Sequence, residues 1–187
     1  MFSSDDTNLQ ELDFERTLEK EDFPPSNGGA VLFKRAQLVK RMVDTFTTRP
    51  KDSYKYSNFY FCHSAGTGKT VLLKLFGKEL QQRGFVVFMV KARVMDDFPT
   101  GYFQKLADRM AREGKQVAVL VDEVQRNFNS KHWDSLLKKA PHNLLVIGTG
   151  IFDLVDESPQ FLKKYPSTDN LTIGQLTEED MPEVLDH

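Results

Sequence analysis

His63-Ser64-Ala65-Gly66-Thr67-Gly68-Lys69-Thr70 lies between an apolar run, Phe59-Tyr60-Phe61-Cys62, and a helical pattern, Val71-Leu72-Leu73-Lys74-Leu75-Phe76. Strand, glycine loop and helix in that order form a phosphate cradle. Gly66 and Gly68 let successive backbone N–H groups turn inward, Lys69 sets an ammonium against the β- and γ-phosphates, and Thr70 offers a hydroxyl to Mg²⁺. A helix that opens at Lys69 adds the positive end of its dipole. The candidate nucleotide-binding set is therefore His63, Ser64, Ala65, Gly66, Thr67, Gly68, Lys69, Thr70 and Val71. The full pattern, Gly-x-x-x-x-Gly-Lys-Ser/Thr, has glycine where this chain has His63. That position eases the turn out of the strand, whereas Gly68 and Lys69 touch the nucleotide, and His tolerates a positive φ better than most residues. The alternative is a glycine-rich turn with an accidental lysine, and the rest of the chain decides against it.

A chain of 187 residues with 40% hydrophobic content supports one domain with a real core and leaves two domains crowded. A net charge of −2 exerts no global pull toward nucleic acid or anionic membrane. The single cysteine, Cys62, excludes an internal disulfide and makes a reducing compartment the default. Cys62 shows no metal-ligand spacing with His63, His132, His142 or His187, so a zinc site is rejected. Apolar runs such as Phe85 to Val90 and Val117 to Val121 suit buried strands and are far too short for a membrane span. The start, Met-Phe-Ser-Ser-Asp-Asp, is acidic through Glu21-Asp22 and lacks the basic and apolar regions of a signal peptide. The expectation is a soluble intracellular protein that does not contact membrane.

Residues 1–29 mix acids with Pro24-Pro25 and Asn27-Gly28-Gly29, the composition of a loosely ordered arm with room for a short helix around 9–18. From 30 to 46, Val31, Leu32, Leu38, Val39, Met42, Val43 and Phe46 recur at helical spacing, and Lys34, Arg35, Lys40 and Arg41 read as its solvated face. After the glycine loop, a helix over 69–82 stops at Arg83-Gly84, and residues 85–90 form a fully buried strand. A connecting region over 91–101 leads to a helix from Tyr102 that ends near Gly114. Val117 to Val121 is the next strand. Ser130 caps a helix carrying Trp133, Leu136 and Leu137, and Leu144 to Ile147 is a further strand. Pro159 and Pro166 interrupt the stretch beyond it, Leu171-Thr172-Ile173 is a last short strand, and Thr177-Glu178-Glu179-Asp180 has the composition of a helix start. Strands alternating with helices predict an α/β fold of three layers around a mostly parallel sheet of about five strands, with ligand at the strands' carboxyl ends.

Two further motifs fall at those ends. Val117-Ala118-Val119-Leu120-Val121-Asp122-Glu123 has the Walker-B pattern: an apolar strand delivering two acids. Asp122 would hold Mg²⁺ beside Thr70, and Glu123 would orient or deprotonate the attacking water. The strand over 144–147 runs into Gly148-Thr149-Gly150. The Thr149 hydroxyl there either contacts the γ-phosphate or the water, or belongs only to a tight Gly-Thr-Gly turn.

Together, Gly66-Thr67-Gly68-Lys69-Thr70, the strand over 85–90, Asp122-Glu123 and Gly148-Thr149-Gly150 resemble the P-loop ATPases with an additional central strand, the AAA+ and STAND groups. The resemblance spans residues 30–180. Phe33-Lys34-Arg35-Ala36-Gln37-Leu38 resembles the segment those families place before the first strand, near the base. Leu171 to Glu179 resembles their last core strand and the entry to a helical lid. The resemblance implies an ATPase core over 30–176, the start of a truncated lid over 177–187, and ATP or another NTP with Mg²⁺ as cofactors. Loop style and core are also similar to the NTPase module of Crinkler-type effectors and retrotransposon-hot-spot proteins. That resemblance implies a module of a secreted effector acting inside a host cell, the nucleus included, with a C-terminal domain or a protein partner. Neither the translocation motif nor a nuclease-like domain of those proteins is recognisable here.

No arginine occurs after Arg126. Ring-forming AAA+ proteins supply an arginine finger from that region, and Lys163-Lys164 do not reproduce its planar fork. This favours a STAND-like switch or slow monomeric ATPase over a ring oligomer. Arg126 itself lies either near the site or on the solvated surface. Three functions fit these residues: a Mg²⁺-dependent ATPase using Lys69, Glu123 and Thr149, a nucleotide-gated interaction module with little turnover, and a small-molecule kinase. The kinase needs an arginine-bearing lid, which counts against it. Asn-Lys-x-Asp, which GTPases use to read guanine, is absent, which favours ATP. A nucleic-acid partner is left open by the charge pattern.

Overall fold

The computed structural model describes residues 39–44, 47, 57–62, 69–138, 141–151 and 158–164. The arm over 1–29, the glycine loop over 63–68, the strand expected at Leu171-Thr172-Ile173 and the lid residues 177–187 lie outside the described residues.

Among the described residues, four parallel strands form one sheet: β1 (Ser57–Cys62), β2 (Phe85–Lys91), β3 (Gln116–Asp122) and β4 (Leu144–Ile151). Their spatial order is β1-β4-β3-β2. The strand that comes after the glycine loop's own strand in sequence is thus farthest from it, and β4 separates β1 from the Asp122-bearing β3. Helix α1 (Lys69–Gln82) connects β1 to β2, and α2 (Tyr102–Arg112) precedes β3. Gly84, at φ +83°, ends α1 where an L side chain would be strained.

Alternation along the strands sorts their side chains into two cores, as burial on both faces of a parallel sheet requires. Val87, Ala118, Leu120, Leu145 and Ile147 pack with Leu72, Leu73, Phe76 and Leu80 of α1 and with Val39 and Val43 of the helical segment 39–44. Lys40 and Arg41 of that segment are exposed, as its amphipathic pattern predicts. On the opposite face, Val117, Val119, Val121, Leu144 and Val146 meet Phe103 and Ala107 of α2, together with Trp133, Leu136 and Phe161. Helices on both faces give the three-layer α/β architecture. Each fully buried Leu or Phe adds about 1.5–3 kcal/mol.

Four expectations are corrected in detail. The strand over 85–90 is not fully buried: Val86 and Phe88 are half-exposed because β2 is the outer strand of the described sheet. The connecting region after it contains a 3₁₀ helix, Ala92–Asp97. Ser130 does accept the N–H of His132 at 3.2 Å, yet the segment it opens winds into a wide π-type turn over Asp134–Lys138 rather than a regular helix. Pro159 stands in the first turn of a short helix, α3 (Ser158–Lys164), where its missing N–H costs no hydrogen bond, so it starts an element instead of interrupting one.

Candidate active site

Strand alternation puts Asp122 on the same face as Ala118 and Leu120, the face that α1 covers. Thr149 joins Leu145 and Ile147 on that face from β4. The register pairs Val121 with Gly148, so Asp122 and Thr149 stand one step further along the adjacent strands. Thr70 enters from the first turn of α1.

These three side chains meet at one carboxylate. The Thr70 hydroxyl donates to Asp122 Oδ2 at 2.8 Å, across 52 residues of chain. The Thr149 hydroxyl donates to Asp122 Oδ1 at 3.0 Å, and the Glu123 backbone N–H donates to the same oxygen at 2.9 Å. Asp122 is only 4% exposed and Thr149 fully buried. A buried carboxylate is costly without such donors, and three hydrogen bonds offset that cost. The start of α1 adds a favourable dipole to a negative charge placed beside Thr70.

The Gly148-Thr149-Gly150 turn does not exist: all three residues belong to β4, which continues to Ile151. Thr149 is therefore a strand residue, and its hydroxyl proton is directed at Asp122. Glu123 takes φ +55° and ψ +47°, a left-handed conformation that is strained for any residue with a side chain. The strand ends there, and a 3₁₀ turn over Val124–Arg126 comes next. Glu123 is half-buried and Arg126 exposed. Lys69, half-buried, is the first residue of α1, and Val71 comes after Thr70 on it. Of the predicted nucleotide-binding residues, His63, Ser64, Ala65, Gly66, Thr67 and Gly68 lie outside the described residues.

Sequence reading missed two features of this region. Gln125 Oε1 accepts the Ile151 N–H at 3.2 Å, joining the turn after Glu123 to the end of β4. Asp96 gathers the next loop: its carboxylate accepts from Asn127 Nδ2 at 3.0 Å, from the Ser130 hydroxyl at 2.7 Å and from the Lys131 N–H at 3.2 Å. These donors, Asn127 first, hold the Asp96 carboxyl below its ordinary pKa. Neither feature has a local signature, because the partners lie 26 to 35 residues apart.

The donor set suits a hard cation. A hydroxyl and a carboxylate oxygen 2.8 Å apart are the ligand types Mg²⁺ takes, few in number and oxygen only.

No protein-family model matches the sequence, and no curated protein is similar enough to match it. Among solved structures the chain is similar to the ORC2 protein of Aeropyrum pernix, solved as ADPNP–ADP complexes, at 12% identity and a TM-score of 0.51 over 89% of this chain and 52% of that one. It is also similar to PCH-2 of C. elegans (18% identity, TM-score 0.46, 81% of this chain and 42% of that). A third is Drosophila ORC, solved bound to AT-rich DNA and Cdc6 (14%, 0.48, 84% and 65%). The chain thus spans about half the length of the structures it resembles. The likeness to ORC2 shows the fold alone, an α/β P-loop fold built around a parallel sheet.

Proposed function

We propose that this chain binds ATP, or another nucleoside triphosphate, together with Mg²⁺, and hydrolyses it. The observation that carries this reading is the contact of Thr70 with Asp122: the head of the helix after a glycine loop meets an acid from a strand that is not β1's neighbour. In the reading, Lys69 and the loop amides of His63 to Gly68 bind the β- and γ-phosphates, and Thr70 and Asp122 hold the metal. Mg²⁺, when bound, supplies charge neutralisation on the phosphate oxygens. Thr149 keeps Asp122 turned so that one oxygen faces Thr70. Glu123, carried out of the sheet by its left-handed backbone, accepts a proton from the water that attacks the γ-phosphate.

Within this proposal residues 30–176 form the ATPase core, 1–29 an N-terminal arm and 177–187 the beginning of a lid. The chain acts as a nucleotide-driven switch or effector module of STAND or Crinkler type, without a ring. Hydrolysis of Mg·ATP by the native chain, Lys69→Ala and Glu123→Gln tests it. Lys69→Ala should weaken nucleotide binding, and Glu123→Gln should bind normally while turnover falls by about 100-fold or more. Equal turnover in all three overturns the assignment. Tight binding without turnover in the native chain points instead to a nucleotide-gated interaction module.

A further inference from the structure

β3 leaves the sheet at Asp122, whereas β4 runs on to Ile151, two residues past Thr149. The chain after Asp122 turns away through the left-handed Glu123, so the Ile151 N–H finds no β3 residue to meet. Gln125 fills that gap: its Oε1 takes the place of the missing strand carbonyl, and the ladder between the two strands gains one more rung. Between its two attachments to β4, at Thr149 through Asp122 and at Ile151 through Gln125, the turn holds only Glu123 and Val124. Val124 is fully buried among Val121, Phe128 and the rest of the core on the α2 face. Of these two, Glu123 is the one that neither packs inward nor bonds to β4 through its side chain, and its backbone is fixed on both sides.

We propose that Gln125 is a positioning residue for Glu123, setting the place from which that carboxylate meets the attacking water. The proposal rests on the hydrolytic reading of the site. Gln125 acts only through the acceptor oxygen it offers Ile151, so a side chain of equal length without that oxygen breaks the device and a carboxylate restores it. A loss of registration of about 1 Å at a general base costs up to about 100-fold in rate.

The test measures Mg·ATP turnover and, separately, the affinity for a fluorescent ATP analogue in the full 187-residue chain. Gln125→Met should lower kcat by about 10- to 100-fold with the dissociation constant within about twofold of native, and Gln125→Glu should recover most of the loss. Because Gln125 works through Glu123, Gln125→Met placed on Glu123→Gln should cause no further loss. The inference is overturned by turnover within twofold of native in Gln125→Met, by an equal loss of affinity and rate, by failure of Gln125→Glu to rescue, or by additive losses in the double variant. A native chain that binds Mg·ATP without hydrolysing it overturns the hydrolytic reading and this inference together. A native chain that turns over, with a Gln125→Met variant that does so equally, removes this inference alone.

Discussion

Asp122 and Asp96 stand at the carboxyl end of the same sheet, and each accepts three hydrogen bonds to its carboxylate, but they do different jobs. Asp122 is buried, and its donors come from three places: the head of α1, the neighbouring strand β4 and its own following amide. Asp96 is exposed, and its three donors, Asn127, Ser130 and Lys131, all belong to one loop. The Lys131 ammonium reaches the Asp96 carbonyl as well, at 3.1 Å. One carboxylate joins elements that a nucleotide would touch. The other fastens the loop after the Asp122-Glu123 pair to the 3₁₀ helix after β2. Equal hydrogen-bond counts therefore do not separate the acid proposed to hold a metal from one that fastens a loop. The origin of the donors and the burial do.

The sharpest way to break this comparison is to make the same change at both positions. Asp122→Asn should leave the chain folded and, on the proposed reading, lower ATP turnover by about 100-fold or more, since the carboxylate proposed to face the metal loses its charge. Asp96→Asn should leave the affinity for Mg·ATP within about twofold of native and lower stability to urea by about 1 kcal/mol, a figure kept small because the group is exposed. A loss of nucleotide binding in Asp96→Asn, or full turnover in Asp122→Asn, would reverse the two assignments.

A second experiment asks what the left-handed backbone at Glu123 costs. Glycine adopts φ +55° freely, whereas a residue with a Cβ is strained there by about 1–2 kcal/mol. Part of that relief is cancelled by the greater entropy of glycine in the unfolded chain. Glu123→Gly should therefore raise the urea-unfolding stability by about 0.5–1 kcal/mol while turnover falls as far as in Glu123→Gln. No gain in stability would mean that the conformation costs nothing and is no mark of function. The loop fastened by Asp96 offers a control, since Glu123 is the sole non-glycine residue at positive φ among the described residues.

Much of this arrangement is legible in the residues themselves. Val117 to Val121, leading into two acids, predicts a buried strand with a carboxylate at its end, because a strand covered on both faces needs an unbroken apolar run. The bounds of α1 are set by Lys69 at the head and Arg83-Gly84 at the foot. The role of Gly148-Thr149-Gly150 is not legible, because two glycines signal a turn when read locally. Only the pairing of β4 with β1, which runs on through Ile151, and of Gly148 with Val121 of β3 keeps that stretch in the sheet. Gln125 and Asn127 are illegible for a related reason: each has the composition of a polar loop, and the partner that gives it meaning lies on another element, while of Ser130 only the local bond to the His132 N–H is legible and not the one to Asp96. Sequence patterns carry the period of burial and the chemistry of short motifs, whereas hydrogen bonds between loops are set by tertiary placement.

His132 sharpens the comparison at the smallest scale. It comes directly after the loop that Asp96 holds and is fully buried, with Nε2 3.1 Å from the Phe98 carbonyl and its ring set edge-on against Phe103 at 5.5 Å. Nδ1 has no hydrogen-bond partner among the described residues. Burial pushes its pKa down, with Lys131 acting in the same direction, against the opposing pull of the Phe98 carbonyl and Asp96. The folded state therefore stays neutral in a pH range where the unfolded chain, with an ordinary imidazole pKa of about 6.5, takes up a proton. More protons on the unfolded chain means that stability falls as pH falls below about 6.5, and the loss levels off once the folded-state pKa is passed. At pH 6 the contribution is at most about 0.8 kcal/mol, the limit for a group that never protonates in the fold. Asp96 acts in a separate window: with its pKa lowered, its contribution is present above about pH 4 and fades below it. Urea unfolding measured from pH 7.5 to 5 should show a decline in the native chain that His132→Gln flattens and Asp96→Asn leaves in place. A decline of equal size in His132→Gln would show that the imidazole is not the source of the pH dependence.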